Sequence, residues 1–143
     1  MTDDEFLLAF ETCAFTRPEW THESHVRMAW LYLTRLPFVA ALDSVRRGIR
    51  KLNAKIGSPD GYHETITAAF VRVIASRVRP GEDYPAFRDR NPDLLDRTLA
   101  ALLRHYTKDR LWSPEARSRF IGPDVEELPG VFPDLPPRRG VRE

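Results

Sequence analysis

The run EWTHESH at 19–25 places His22 and His25 three residues apart, and GYHETIT at 61–67 brings Tyr62, His63, Glu64 and Thr67 into one short stretch. Imidazole is the side chain that changes charge near neutral pH, and its neutral form can take a proton or ligate a metal. If the two runs meet in space, they supply three imidazoles and a carboxylate. Three protein ligands with an open position form a catalytic metal pattern, and these donors suit a divalent transition metal such as zinc, iron, copper or nickel. The metal-ligand set would be His22, His25 and His63. Without metal, His63 with Glu64 as orienting carboxylate or general base makes an acid/base pair, with Thr67 and Tyr62 as hydrogen-bonding support.

Each of these residues also has a purely structural reading. Thr21 is a good N-cap, which makes Trp20 and His25 the two positions that pack as a hydrophobic staple. His63 can be an exposed cap in the turn after Gly61, and Glu64 a first-turn carboxylate facing the helix dipole. Glu19 and His22 have the E-x-x-H spacing of di-iron bundles, but the second pair those sites need is missing. The chain holds no H-E-x-x-H, no glycine-rich phosphate loop and no G-x-S-x-G.

The elements that must position these groups are helices, because apolar residues recur at helical spacing and nowhere alternate as in a half-buried strand. Helix 1 is expected over about 2–13, with Thr2 as cap, and helix 2 from Thr21 to about Leu36, ended by Pro37. On helix 2 the stripe His22, His25, Ala29, Tyr32, Leu33 and Leu36 aims both histidines inward. Helix 3, about 38–56, has the cleanest stripe, Phe38, Leu42, Val45, Ile49, Leu52 and Ile56. Its other side carries Arg46, Arg47, Arg50, Lys51 and Lys55, read as a solvated face, with a partner surface as the alternative. Helix 4, about 63–77, holds His63 and Thr67 on the side of Ile66, Phe70 and Ile74, before RPGEDYP terminates it. Helix 5 is expected from the Asn91 cap and Pro92 to about Tyr106, and SPEAR at 113–117 opens a short sixth helix.

The reading is therefore all-α: a compact bundle of five main helices with a short sixth and a proline-rich C-terminal strap. One helical domain spans 1–129, and 130–143 form an extended or disordered tail. From Gly122 onward lie five of the chain's twelve prolines, which favour a strap over further helix. At 143 residues the chain can bury a core without help from metal or disulfide.

Twenty-two Lys and Arg against 21 Asp and Glu leave a formal charge of +1, which argues against nucleic acid as a partner. The single cysteine, Cys13, excludes a disulfide framework and reads as a small core residue in helix 1. The acidic start MTDDEFLLAF and the lack of any long apolar run argue against export and membrane insertion, so a cytoplasmic location is expected.

WTHESH at 20–25, GYHETIT at 61–67, DRLWSPEAR at 109–117 and the pairs PD at 123–124 and LP at 128–129 resemble a group of small bacterial helical proteins over about residues 19–129. No activity carries over from that group. The resemblance implies that the histidine runs and the RLWSPEAR segment belong to one unit. It adds Arg110, Ser113 and Arg117 as a rim or clamp for substrate, beside their structural roles of capping and tying down the strap.

The expected function is thus a small enzyme or ligand-binding protein, its pocket where helices 2 and 4 begin and its partner a small molecule. The competing class is a noncatalytic interaction module using the basic face of helix 3 or an aromatic surface of Trp20, Trp30 and Trp112. A homodimer would use helix 1 or helix 3. A site requires the candidate residues to converge, whereas a module leaves them scattered and exposes apolar surface.

Overall fold

A computed structural model of the chain describes residues 1–130. Helix α1 spans Asp3–Glu11, and Thr2 and Glu5 make a reciprocal capping box at its start. It stops two residues earlier than its periodicity suggests, because Cys13 takes a left-handed backbone (φ +56°). The Cys13 N–H bonds the Phe10 carbonyl at 3.1 Å and the Ala14 N–H the Ala9 carbonyl at 2.8 Å, a Schellman closure. Cys13 is therefore a buried residue just past the helix rather than within it.

One turn of 3₁₀ helix, Arg17–Glu19, leads into α2, His22–Arg35, capped by Thr21 as expected. Leu36 ends α2 and Pro37 opens α3, Phe38–Lys55, on which Leu42, Val45, Ile49 and Leu52 are all buried. After a second 3₁₀ turn, Pro59–Gly61, α4 runs over Glu64–Arg77. Helices α2, α3 and α4 pack on one another, and α1 lies across α2 and α3. Gly48 permits that last contact: a Cβ there would sit 2.2 Å from the buried Phe10 ring.

The basic side of α3 is not simply solvated. Lys51 and Lys55 donate to the carbonyls of Glu11 and Cys13 at the end of α1, at 3.3 and 2.8 Å. Arg46 and Arg50 turn toward α4, leaving Arg47 in an exposed pair with Asp43 at 2.9 Å.

The chain after α4 departs furthest from expectation. Helix α5, Tyr84–Arg90, arises inside the segment read as a terminator, because Asp83 caps it and Pro85 lies in its first turn. The long helix expected over 91–106 is broken into a 3₁₀ turn, Pro92–Leu95, and a single turn α6, Ala100–Leu103. Between them the Asp96 carboxylate accepts from both the N–H and the hydroxyl of Thr98, at 2.8 and 2.7 Å, and Leu99 adopts φ +64°. Asn91 does not cap a helix: its amide donates to the Phe87 carbonyl at 2.8 Å and accepts from Arg77 at 3.1 Å.

Short helices α7, Lys108–Leu111, and α8, Pro114–Ser118, follow, the latter as the SPEAR signal implies. Residues 119–130 form the strap. Thr65 on α4 donates to the Arg119 carbonyl at 2.8 Å and accepts from the Ile121 N–H at 3.1 Å, and Tyr106 donates to the Ile121 carbonyl at 2.7 Å. His105 pairs through Nδ1 with the Glu126 carbonyl at 3.0 Å. The tail expected over 130–143 lies, past Gly130, outside the described residues. Among the described residues there is no strand, and no helix is long and apolar enough to cross a membrane.

Candidate functional site

A cavity of about 350 Å³ opens between α2, α3 and α4, at the ends where α2 and α4 begin. Its walls are mainly apolar, with Val26, Ile49, Phe70 and Ile74 among them, and His22, His25 and His63 all line it. The two histidine runs are therefore brought together. Helix α2 presents one imidazole per turn to the cavity, and α4 starts at the same end.

The hydrogen bonds fix the state of the His63 ring. His63 is the N-cap of α4: its Nδ1 accepts the Ile66 N–H at 3.1 Å, so its proton sits on Nε2, which donates to the Leu111 carbonyl at 2.7 Å. His63 caps the helix as the structural reading has it, yet it is buried rather than exposed. Both nitrogens are spent. Burial, helped by the nearby Arg117 charge, pulls its pKa below the usual imidazole value, against the opposing bond to Leu111.

His22 and His25 differ. His22 Nε2 donates to the Leu94 carbonyl at 2.8 Å and the ring sits edge-on to Phe70, with Nδ1 not engaged by the protein. His25 Nδ1 donates to the Thr21 carbonyl at 2.7 Å, leaving Nε2 as a lone pair. The His25 ring stacks on Trp20 with centroids 3.8 Å apart, so it is the expected staple and a cavity-lining base together. Desolvation lowers its pKa to about 4, outweighing the bond to Thr21, and keeps it neutral.

Glu64 does not join the histidines. Both its oxygens are taken: Arg46 pairs with Oε2 at 2.6 Å and the Tyr62 hydroxyl donates to Oε1, with Arg50 3.9 Å away. A buried carboxylate neutralised by one arginine and flanked by another is a poor general base and a poor metal ligand. Tyr62 has its pKa pushed up by burial first and by Glu64 second, and Arg50 lies 4.4 Å over its ring. Thr67 lines the cavity and donates to the His63 carbonyl at 2.8 Å.

Of the three residues suggested by the resemblance, only Arg117 reaches the cavity, where it donates to the Asp60 and Tyr62 carbonyls at 3.1 and 3.2 Å. Arg110 donates to the Gly122 carbonyl at 2.6 Å and so fastens the strap. Ser113 caps α8 and donates to the Arg110 carbonyl at 2.8 Å. The aromatic surface expected around three tryptophans does not form: Trp30 is in the core and Trp20 packs against it, leaving Trp112 exposed, edge-on to His63.

With His63 and Glu64 committed, two free imidazole nitrogens remain, short of the three donors a catalytic metal centre uses. Among the described residues no three His, Cys, Asp or Glu side chains are grouped to hold a metal ion. The donor set does not fit a resident transition metal.

One lining residue was missed at the level of sequence. Asn53, in the last turn of α3, is buried in the cavity wall. Its signal was its spacing, four after Ile49 and three before Ile56, at the edge of the apolar stripe. Set against protein-family models, curated proteins and solved structures, the chain matches none.

Proposed function

We propose that this chain binds a small molecule in the cavity where α2 and α4 begin, with His22 and His25 as its hydrogen-bond acceptors and, toward a ligand with a transferable proton, as bases. The observation that carries this reading is an apolar cavity of about 350 Å³ into whose wall two imidazoles are built, each with one nitrogen not engaged by the protein. That size falls in the usual range of ligand sites, and a few polar groups on apolar walls are their usual composition. His22 is held by a carbonyl and His25 by a carbonyl and a stacked indole, so neither ring must be ordered when a ligand arrives.

A fragment screen read by thermal shift and by ligand-observed NMR tests this. Small, mostly apolar molecules carrying an N–H or O–H donor should stabilise the protein. Ala29→Phe, which fills the cavity from α2, should abolish their binding while the helical circular dichroism persists. Binding that survives Ala29→Phe would place the ligand elsewhere. Metal content by mass spectrometry of chelator-free protein should be substoichiometric, and stoichiometric metal lost in His22→Ala would replace this reading with a metal-dependent one.

A further inference from the structure

Resting on that reading, we infer that Asn53 selects the ligand, and that the ligand is a neutral small molecule presenting an amide-like N–H/C=O edge on an apolar body. Asn53 is 8% exposed and lines the cavity, no hydrogen bond joins its carboxamide to another described residue, and its amide atoms are not sealed from solvent. An amide in an apolar wall that no protein group satisfies is available to water or to a ligand entering the cavity. Elsewhere buried polar side chains find partners in the chain: buried Asn91 both donates and accepts, and buried Thr65 does the same. The buried N–H groups left over on Trp20, Trp30 and Arg27 belong to residues that do not line this cavity.

Local structure does not call for asparagine here. Asn53 is interior to the last turn of α3, whose C-cap is Ile56, and only its backbone carbonyl has a structural task, accepting the Ser58 N–H at 2.8 Å. Leucine or alanine would be a better helix former in that place. Gly61 lies beside Asn53: the Gly61 backbone is not left-handed, and a Cβ there would make an ordinary van der Waals contact with the Asn53 amide nitrogen, at 3.4 Å.

The charges of the wall define what the amide can meet. Among the described residues, Arg117 is the one lining residue with a permanent charge, and its guanidinium is exposed and engaged with two carbonyls. Among the described residues no carboxylate lines the cavity, since Glu64 is turned to Arg46, so an ammonium would be buried there without a counter-ion. A carboxylate would oppose its lone pairs to that of His25, and protonating His25 to relieve this is resisted by its burial. A neutral amide edge avoids both penalties: its N–H and C=O pair with the Asn53 carboxamide in two parallel bonds, and a second N–H can reach an imidazole lone pair.

Four probes with one body separate these cases: 3-phenylpropionamide, 3-phenylpropionate, 3-phenylpropylamine and propylbenzene, titrated by NMR into the wild type, Asn53→Leu and Asn53→Asp. The wild type should bind the amide at least tenfold more tightly than the other three. Asn53→Leu should keep propylbenzene and lose the amide preference, and Asn53→Asp should shift preference to the amine. Should Asn53→Leu fail to fold, Asn53→Asp carries the test alone. Equal binding of amide and hydrocarbon by the wild type, preference for a charged probe, or an amide preference that survives Asn53→Leu overturns the inference and leaves the cavity reading standing. No binding of any probe overturns both.

Discussion

His25 and His63 stand near the starts of two packed helices, line the same cavity and are both kept neutral by burial, yet they belong to different kinds of region. Around His63 every polar group has an occupation within the protein: Nδ1 caps α4, Nε2 holds α7, Glu64 is locked to Arg46 and Tyr62, and Thr65 pins the strap. Around His25 a second nitrogen is unspent, as it is on His22, and Asn53 across the cavity is unspent altogether. Residue type alone does not separate these regions. The count of remaining donors and acceptors does, because a buried group without a partner is costly unless something outside the chain completes it. Substitutions in the first region should therefore cost stability, and those in the second should cost binding.

The sharpest way to break this contrast is through Arg46. Arg46→Leu leaves the Glu64 carboxylate buried with only Tyr62 and a more distant Arg50, and should cost about 3 kcal/mol or more in urea unfolding. Replacing both partners, Arg46→Leu with Glu64→Leu, should recover much of that loss. A single variant within about 0.5 kcal/mol of wild type would mean that Glu64 is free to serve the cavity after all.

Next comes His63. His63→Ala removes an N-cap and strands the Leu111 carbonyl, for a loss of about 2 kcal/mol, whereas His63→Asn restores the cap alone and should lose about half as much. Equal losses would show that α4 does not depend on the imidazole cap.

These structural roles explain what the sequence could and could not disclose. Thr21 before His22, and the apolar stripe on α3, are local signals, and the structure follows them to within a residue. That His22, His25 and His63 line one cavity was only a condition at the level of sequence, which inward stripes on two helices allowed but did not require. What His63 and Glu64 do there did not follow, because their partners, Leu111 and Arg46, are 48 and 18 residues away and no local pattern names them. The break at 96–99 was hidden for another reason: Leu99 sits in a conformation leucine seldom adopts, held by an Asp96–Thr98 turn inside an otherwise helical run of leucines.

A smaller effect should appear on acidification. His25 has its folded pKa lowered to about 4 from an ordinary 6.5, and His63 is lowered as well, so the unfolded chain takes up protons first as pH falls. Stability contributed by neutral His25 is complete above about pH 6.5 and is lost as pH falls toward 4. At about 1.4 kcal/mol per unit, discounted for partial exposure, the loss is on the order of 2 kcal/mol. His25→Phe, which can still stack on Trp20, should flatten that slope relative to wild type. A slope unchanged in the variant would assign the acid sensitivity to other groups.

The smallest effect expected, and the most telling, is at Asn53. In the His63 region, replacing a buried polar side chain by an apolar one should destabilise, because partners are stranded. Asn53 has none to strand, so Asn53→Leu removes an unpaired amide, adds apolar contact in the wall and improves helix propensity. Its melting temperature without ligand should match or slightly exceed that of wild type, by up to about 1 kcal/mol of stability. A loss above about 1 kcal/mol would mean that the amide already has a structural occupation, and the line drawn between the two regions would have to move to include it. A gain in stability coupled to lost ligand binding is the signature of a group kept for a ligand at the expense of the fold.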